Sequence, residues 1–192
     1  MIEGKELALF IDRLTIPAHN VKDFHKLPIP FACVATDITT GEAVVLDKGN
    51  INEAIRASMA IPSIFTPVKI NNQLLVDGGL VRNFPVQQAL DMGADIIIGV
   101  YVSGDFYKEE DLNSMIDVLS QSAFVLSTFD SREQKKLCDI LIEPNIDGYE
   151  TADFLQGDSI IKRGEQMAKK YKKAFEQLAD SLAKYDSQPT LD

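Results

Sequence analysis

The chain contains no tryptophan, two cysteines and two histidines in 192 residues, and its 19 Lys and Arg are outnumbered by 29 Asp and Glu. Each shortage excludes something. Cys33 and Cys138 cannot build a disulfide framework, and no Cys-x-x-Cys spacing offers a zinc or redox pair. Each reads as a small core residue. His19 and His25 share a polar loop without the His-x-x-x-His spacing a helical metal site uses, so they read as surface histidines and no metal or cofactor is expected. A formal charge of −10 argues against a protein built to grip phosphate backbones, because that affinity comes from clustered Lys and Arg. No apolar run reaches the length of about 18 residues that a membrane-spanning helix needs. The opening Met-Ile-Glu-Gly-Lys-Glu lacks the charged and apolar regions of a signal peptide, which bears on targeting only where Met1 is the natural start. The compartment is left open.

What is present suits a packed core: 45% of the residues are hydrophobic. Leu7, Phe10, Ile11 and Leu14 fall at helical spacing. An apolar run from Phe31 to Thr36, the turn-prone Thr39-Thr40-Gly41-Glu42 and the run Ala43-Val44-Val45-Leu46 predict a β-hairpin. Asn50 with Glu53 three residues later marks a helix start, carrying Ile51, Ala54, Ile55 and Met59 toward one face, and Pro62 bounds it. Asn71-Asn72 between two short apolar runs predicts a second hairpin, since both side chains tolerate positive φ. Asn83-Phe84-Pro85 opens a helix closed by Gly93, and residues 96–102 form a nearly unbroken apolar run, the habit of a parallel strand buried on both faces. Strand, helix and strand here predict a βαβ unit. Leu112, Met115, Ile116, Leu119, Ala123 and Leu126 predict a long amphipathic helix, residues 140–142 another buried strand, and Ile161, Met167, Tyr171, Phe175, Leu178 and Leu182 a C-terminal amphipathic helix. Residues 187–192 read as a linker stub. Residues 158–186 hold seven basic and five acidic residues, so the acidity belongs to the body of the chain. The cluster Lys169, Lys170, Lys172 and Lys173 reads as a solvated helix face, with anionic lipid the alternative.

The most informative stretch is Leu74-Leu75-Val76 running into Asp77-Gly78-Gly79. In open α/β sheets, sites sit at the carboxyl ends of strands, and Asp77 occupies such a position before a helix. Two glycines let the backbone turn sharply and another group approach. Such an aspartate can orient a base, act as one, bind Mg²⁺, or cap a helix. Neither the G-x-x-x-x-G-K-[ST] phosphate loop nor the G-x-G-x-x-G dinucleotide fingerprint occurs, which disfavours phosphoryl transfer and nicotinamide chemistry. The G-x-S-x-G nucleophile elbow is absent from all 192 positions as well.

The segment Ala54-Ile-Arg-Ala-Ser-Met-Ala-Ile-Pro62 through Asp77-Gly-Gly79, followed by Asn83-Phe-Pro-Val and Gly93-Ala-Asp-Ile-Ile-Ile-Gly-Val, resembles the second half of the patatin-like phospholipase family. Pro28-Ile-Pro-Phe-Ala-Cys-Val-Ala-Thr-Asp-Ile with Gly41-Glu42 is similar to that family's preceding hairpin, and the likeness is strongest over residues 28–102. It rests on R-A-S-x-A-x-P and D-G-G at this separation. The resemblance implies a three-layer α/β/α fold with a mostly parallel central sheet and β-hairpins, and a Ser-Asp dyad hydrolysing acyl esters of lipids without a catalytic histidine. Asp77 matches the dyad aspartate, with Gly78 and Gly79 shaping the turn that presents it. Arg56 is assigned a structural role and Ser58 a packing or capping role.

The family's glycine-rich oxyanion loop and its nucleophile elbow have no counterpart here. Residues 1–186 are accordingly read as the C-terminal portion of a patatin-like domain, inactive by itself because it lacks the two devices that carry most of the rate. The expected partners are a lipid or acyl-ester substrate, a membrane surface met peripherally, and other copies of the chain through the truncated face, with no nucleic acid. Two other readings stay open: a non-catalytic binding or scaffold domain of the same fold, and a metal-dependent phosphotransferase, for which no partner carboxylate is found.

Overall fold

A computed structural model describes residues 5–62, 64–103, 115–149 and 154–186. The chain divides into two compact units, one formed by residues 1–94 and 106–137 and the other by residues 95–105 and 138–192. The linker stub expected at 187–192 lies outside the described residues.

The first unit is built on a four-stranded sheet in the order β2-β1-β4-β3, from β1 (Cys33–Asp37), β2 (Glu42–Leu46), β3 (Val68–Ile70) and β4 (Gln73–Asp77). Both hairpins form where the turn residues place them. Asn71 and Asn72 take φ of 48° and 66°, the left-handed pair a two-residue hairpin link requires. Helix α1 (Lys5–Thr15) packs on α2 (Ile51–Ser58), and α2 packs on β1 and β4. Asn50 caps α2 with its side-chain oxygen, which accepts from the backbone N–H groups of Asn52 at 3.0 Å and Glu53 at 3.5 Å. The core joins Phe24, Ala35, Leu46, Ile51, Ala54, Ala57 and Leu75. Small alanines let α2 lie close to the sheet. Burying Phe24 and Leu75 completely contributes roughly 1.5–3 kcal/mol each.

After β4 the chain makes a 3-10 turn (Gly78–Leu80) and then α3 (Val86–Asp91), which ends at Gly93 in the left-handed conformation, φ 92°. Helix α4 (Met115–Lys135) contacts this 3-10 turn and α3. Among the described side chains its buried residues are polar, Ser127, Ser131 and Gln134, whereas Met115, Leu119 and Leu126 are exposed. The helix forms as the periodicity predicts, but its buried residues lie beside the predicted apolar stripe and not on it. Leu112 lies outside the described residues.

The second unit pairs β5 (Ile98–Val100) with β6 (Ile140–Ile142) in parallel, and adds α5 (Gly157–Lys170) and α6 (Lys172–Asp186). Two expectations change here. Ile97 and Tyr101 are buried while Ile98, Val100 and Val102 are exposed, so the apolar run alternates instead of burying both faces. The predicted C-terminal helix is two helices, separated at Tyr171.

The α/β class holds. Strand direction differs from the expected mostly parallel sheet: every pairing in the four-stranded sheet is antiparallel, and the parallel ladder among the described residues is β5 with β6. For the β1–β2 and β3–β4 pairs the reason lies in connection length, since four-residue and two-residue hairpins permit antiparallel pairing alone. Nor do β4 and β5 form the predicted βαβ unit, because β4 pairs with β1 and β3, and β5 with β6.

Candidate active site

Asp77 is the last residue of β4, paired across the ladder with Ala35 of β1. Its backbone N–H donates to the carbonyl of Ala60 at 3.0 Å, which ties the strand end to the chain leaving α2. Its carboxylate Oδ1 accepts from the Gly79 N–H at 2.7 Å. That short contact is the length of a charge-assisted bond, and it caps the 3-10 turn. Oδ2 accepts no hydrogen bond among the described residues. Burial pushes the Asp77 carboxyl above the ordinary carboxylate value, and the Gly79 N–H draws it partly back.

The two glycines serve close approach. Neither has positive φ. A Cβ on Gly78 would run into the Val34 carbonyl of β1, and one on Gly79 would come within 3.0 Å of both the Asp77 and the Asn83 Oδ1 atoms. Any side chain at Gly78 would therefore push the turn off β1 and carry Asp77 with it.

Asp77, Gly78 and Gly79 line a cleft of about 260 Å³ together with Cys33, Ser58 and Arg82. Ser58 is the serine of this cleft, yet its hydroxyl donates to the Val34 carbonyl at 2.7 Å. It fastens α2 to β1, in keeping with its packing assignment. The Cys33 thiol is pushed up to about 11, chiefly by burial, so it stays protonated and is a poor nucleophile. Arg56 lies elsewhere, its Nη2 reaching the Thr66 hydroxyl at 3.4 Å.

Sequence reasoning did not single out Arg82 or Asp130. Arg82 closes one side of the cleft and makes a two-point ion pair with Asp130 of α4, Nε to Oδ2 at 3.3 Å and Nη2 to Oδ1 at 3.2 Å. These partners lie 48 residues apart, and no local signal links them. Asp37 is the contrasting carboxylate: the hydroxyl and backbone N–H of Thr39 hold it below the ordinary range. Gln73 of β4 also donates to it, so Asp37 is committed to the β1–β2 turn and to the neighbouring strand. Among the described residues no group of three or more His, Cys, Asp or Glu is arranged to hold a metal ion.

The sequence model of the patatin-like phospholipase family matches residues 1–90, the stretch that carries Asp77 and its turn. Over these residues the chain is similar to the patatin-like phospholipase family. An uncharacterized NTE family protein of Mycobacterium tuberculosis (strain ATCC 25618 / H37Rv) is 39% identical over 79 residues, 41% of this chain and 22% of that protein. The lysophospholipase NTE1 of Meyerozyma guilliermondii is 29% identical over 170 residues, covering 76% of this chain and 12% of that protein. The corresponding protein of Scheffersomyces stipitis is 29% identical over 176 residues, 79% of this chain and 11% of its own length. The chain thus spans less than a quarter of the length of these relatives. The family model and these relatives both carry the names of lipid hydrolases, a phospholipase and a lysophospholipase.

Proposed function

We propose that this chain supplies the aspartate of a Ser-Asp dyad in a patatin-like lipid acyl hydrolase, with the serine lying outside these 192 residues. The observation that carries the reading is Asp77 at a strand end, fixed through Oδ1 by the Gly79 N–H at 2.7 Å and lining a cleft. Its Oδ2 is the atom that would accept the proton of a serine hydroxyl as that oxygen attacks an ester carbonyl. Burial favours this step, because raising the carboxyl pKa makes it a stronger base. Collapse of the tetrahedral adduct returns the proton to the leaving alcohol, and water then releases the acyl group with Asp77 again taking the proton.

The chain by itself is proposed to be inactive. G-x-S-x-G is absent, and the hydroxyl of Ser58, which shares the cleft, is committed to Val34 instead of Asp77. A fluorophosphonate probe is expected to leave the 192-residue chain unlabelled. Stoichiometric labelling of one serine defeats this part. In the complete protein, Asp77→Asn is expected to lower ester hydrolysis by about 10⁴, the scale seen when a triad carboxylate becomes an amide. Near-normal turnover defeats the dyad assignment.

The competing reading is a scaffold domain in which Asp77 only caps its turn, and the capping bond to Gly79 favours it to that extent. The coding sequence upstream of Met1 separates the two. An in-frame G-x-S-x-G supports the enzyme, and a true start at Met1 supports the scaffold. We further propose peripheral contact with a lipid surface and self-association. Both draw on exposed apolar side chains such as Leu9, Phe10, Leu119 and Leu126.

A further inference from the structure

We infer that α4 positions Asp77, acting through Asp130 and Gln134, two side chains one helical turn apart. The segment that presents Asp77 is held from two sides. On the sheet side, Asp77 pairs with Ala35, and Gly78 is pressed against the Val34 carbonyl. On the helix side, Arg82 joins the turn to α4. Its backbone N–H donates to the Gly78 carbonyl at 2.8 Å, while its guanidinium forms the two-point pair with Asp130. The side chains of this pair are 27% and 22% exposed, so water screens it only partly. Five residues on, the Gln87 N–H donates to the Gln134 Oε1 at 2.7 Å, and Gln134 is buried. Pro85 precedes α3 and has no side-chain oxygen with which to cap it, so α4 supplies the acceptor.

Residues 78–87 are therefore fastened to one face of α4 at Arg82 and at Gln87. A displacement of α4 is passed through a planar, two-bond contact to Gly78 and on to the carboxylate. A lysine at position 82 would keep the charge but lose the fork that sets the direction of the contact. The meaning of this positioning for catalysis rests on the dyad assignment above, whereas the positioning itself does not.

The test follows the Gly79 amide by NMR in the 192-residue chain, through its hydrogen exchange and the pH response of its shift, which reports Asp77 ionisation. Arg82→Lys and Asp130→Asn are each expected to lower Gly79 protection roughly tenfold, the loss of one hydrogen bond to a charged group. Both should also shift the Gly79 titration and leave the Leu75 amide of β4 unchanged. The double variant should do no more than either single one. If Gly79 protection and titration stay at wild-type values in both variants while the melting temperature falls, the pair only fastens α4 and the inference is overturned. Should Asp130→Asn not fold, Gln134→Ala replaces it with the same two outcomes. No reaction is involved in this readout, so failure of the dyad assignment and failure of the positioning inference register in different experiments.

Discussion

Asp77 combines two demands that conflict. A carboxylate held in a partly buried cleft is a better base and a less comfortable resident. Its raised folded-state pKa means that its contribution to stability is fully present below the ordinary value of 3.8 and is lost as pH rises through the folded value. Asp77→Asn, whose amide oxygen can still accept from Gly79, is therefore expected to raise the melting temperature at neutral pH, with the gain vanishing near pH 3. Thermal melts across that range check it, and a uniform loss of stability at every pH contradicts it. Gly78 poses a different constraint. Gly78→Ala places a Cβ on the Val34 carbonyl and is expected to destabilise by about 3 kcal/mol, the upper end for overpacking. Gly93→Ala meets no atom within 4 Å and carries only the left-handed strain at φ 92°, about 1–2 kcal/mol. Urea titrations of the two variants rank them.

Among the elements, α2 and α4 show what periodicity can and cannot say. Both are legible as helices. In α2 the capping residue Asn50 and the apolar residues Ile51 and Ala54 agree with the buried face observed. In α4 Met115, Leu119 and Leu126 are exposed and Ser127, Ser131 and Gln134 are buried, because the helix packs on a glycine turn and on the backbone of α3. Small and hydrogen-bonding side chains suit that neighbour better than leucine does. Leu119→Gln with Leu126→Gln is therefore expected to change stability by less than about 1 kcal/mol in total, the scale of surface substitutions. Denaturation giving a loss of several kcal/mol would show that these side chains are covered. Residues 96–102 teach the same lesson for strands: composition predicted burial on both faces, and the structure covers one.

At the scale of the molecule, exposed apolar residues recur in both units, among them Leu9, Phe10 and Leu14 in the first and Ile98, Val100 and Val102 in the second. Single exposed leucines are ordinary, but a succession along one helix or strand marks a surface that associates. Concentration-dependent association of the chain in sedimentation velocity is the expected outcome, weakened by Leu9→Gln with Phe10→Ser. A clean monomer at high concentration contradicts it. The helices as far as α4 and both hairpins were readable from residues adjacent in the chain, since capping, positive-φ asparagines and hydrophobic period act over a few positions, whereas the break at Tyr171 was not. Strand partners, the face each element buries, the contact that demands glycine at 78 and the pairing of Arg82 with Asp130 across 48 residues arise only when distant segments meet, because no property of either residue alone selects its partner.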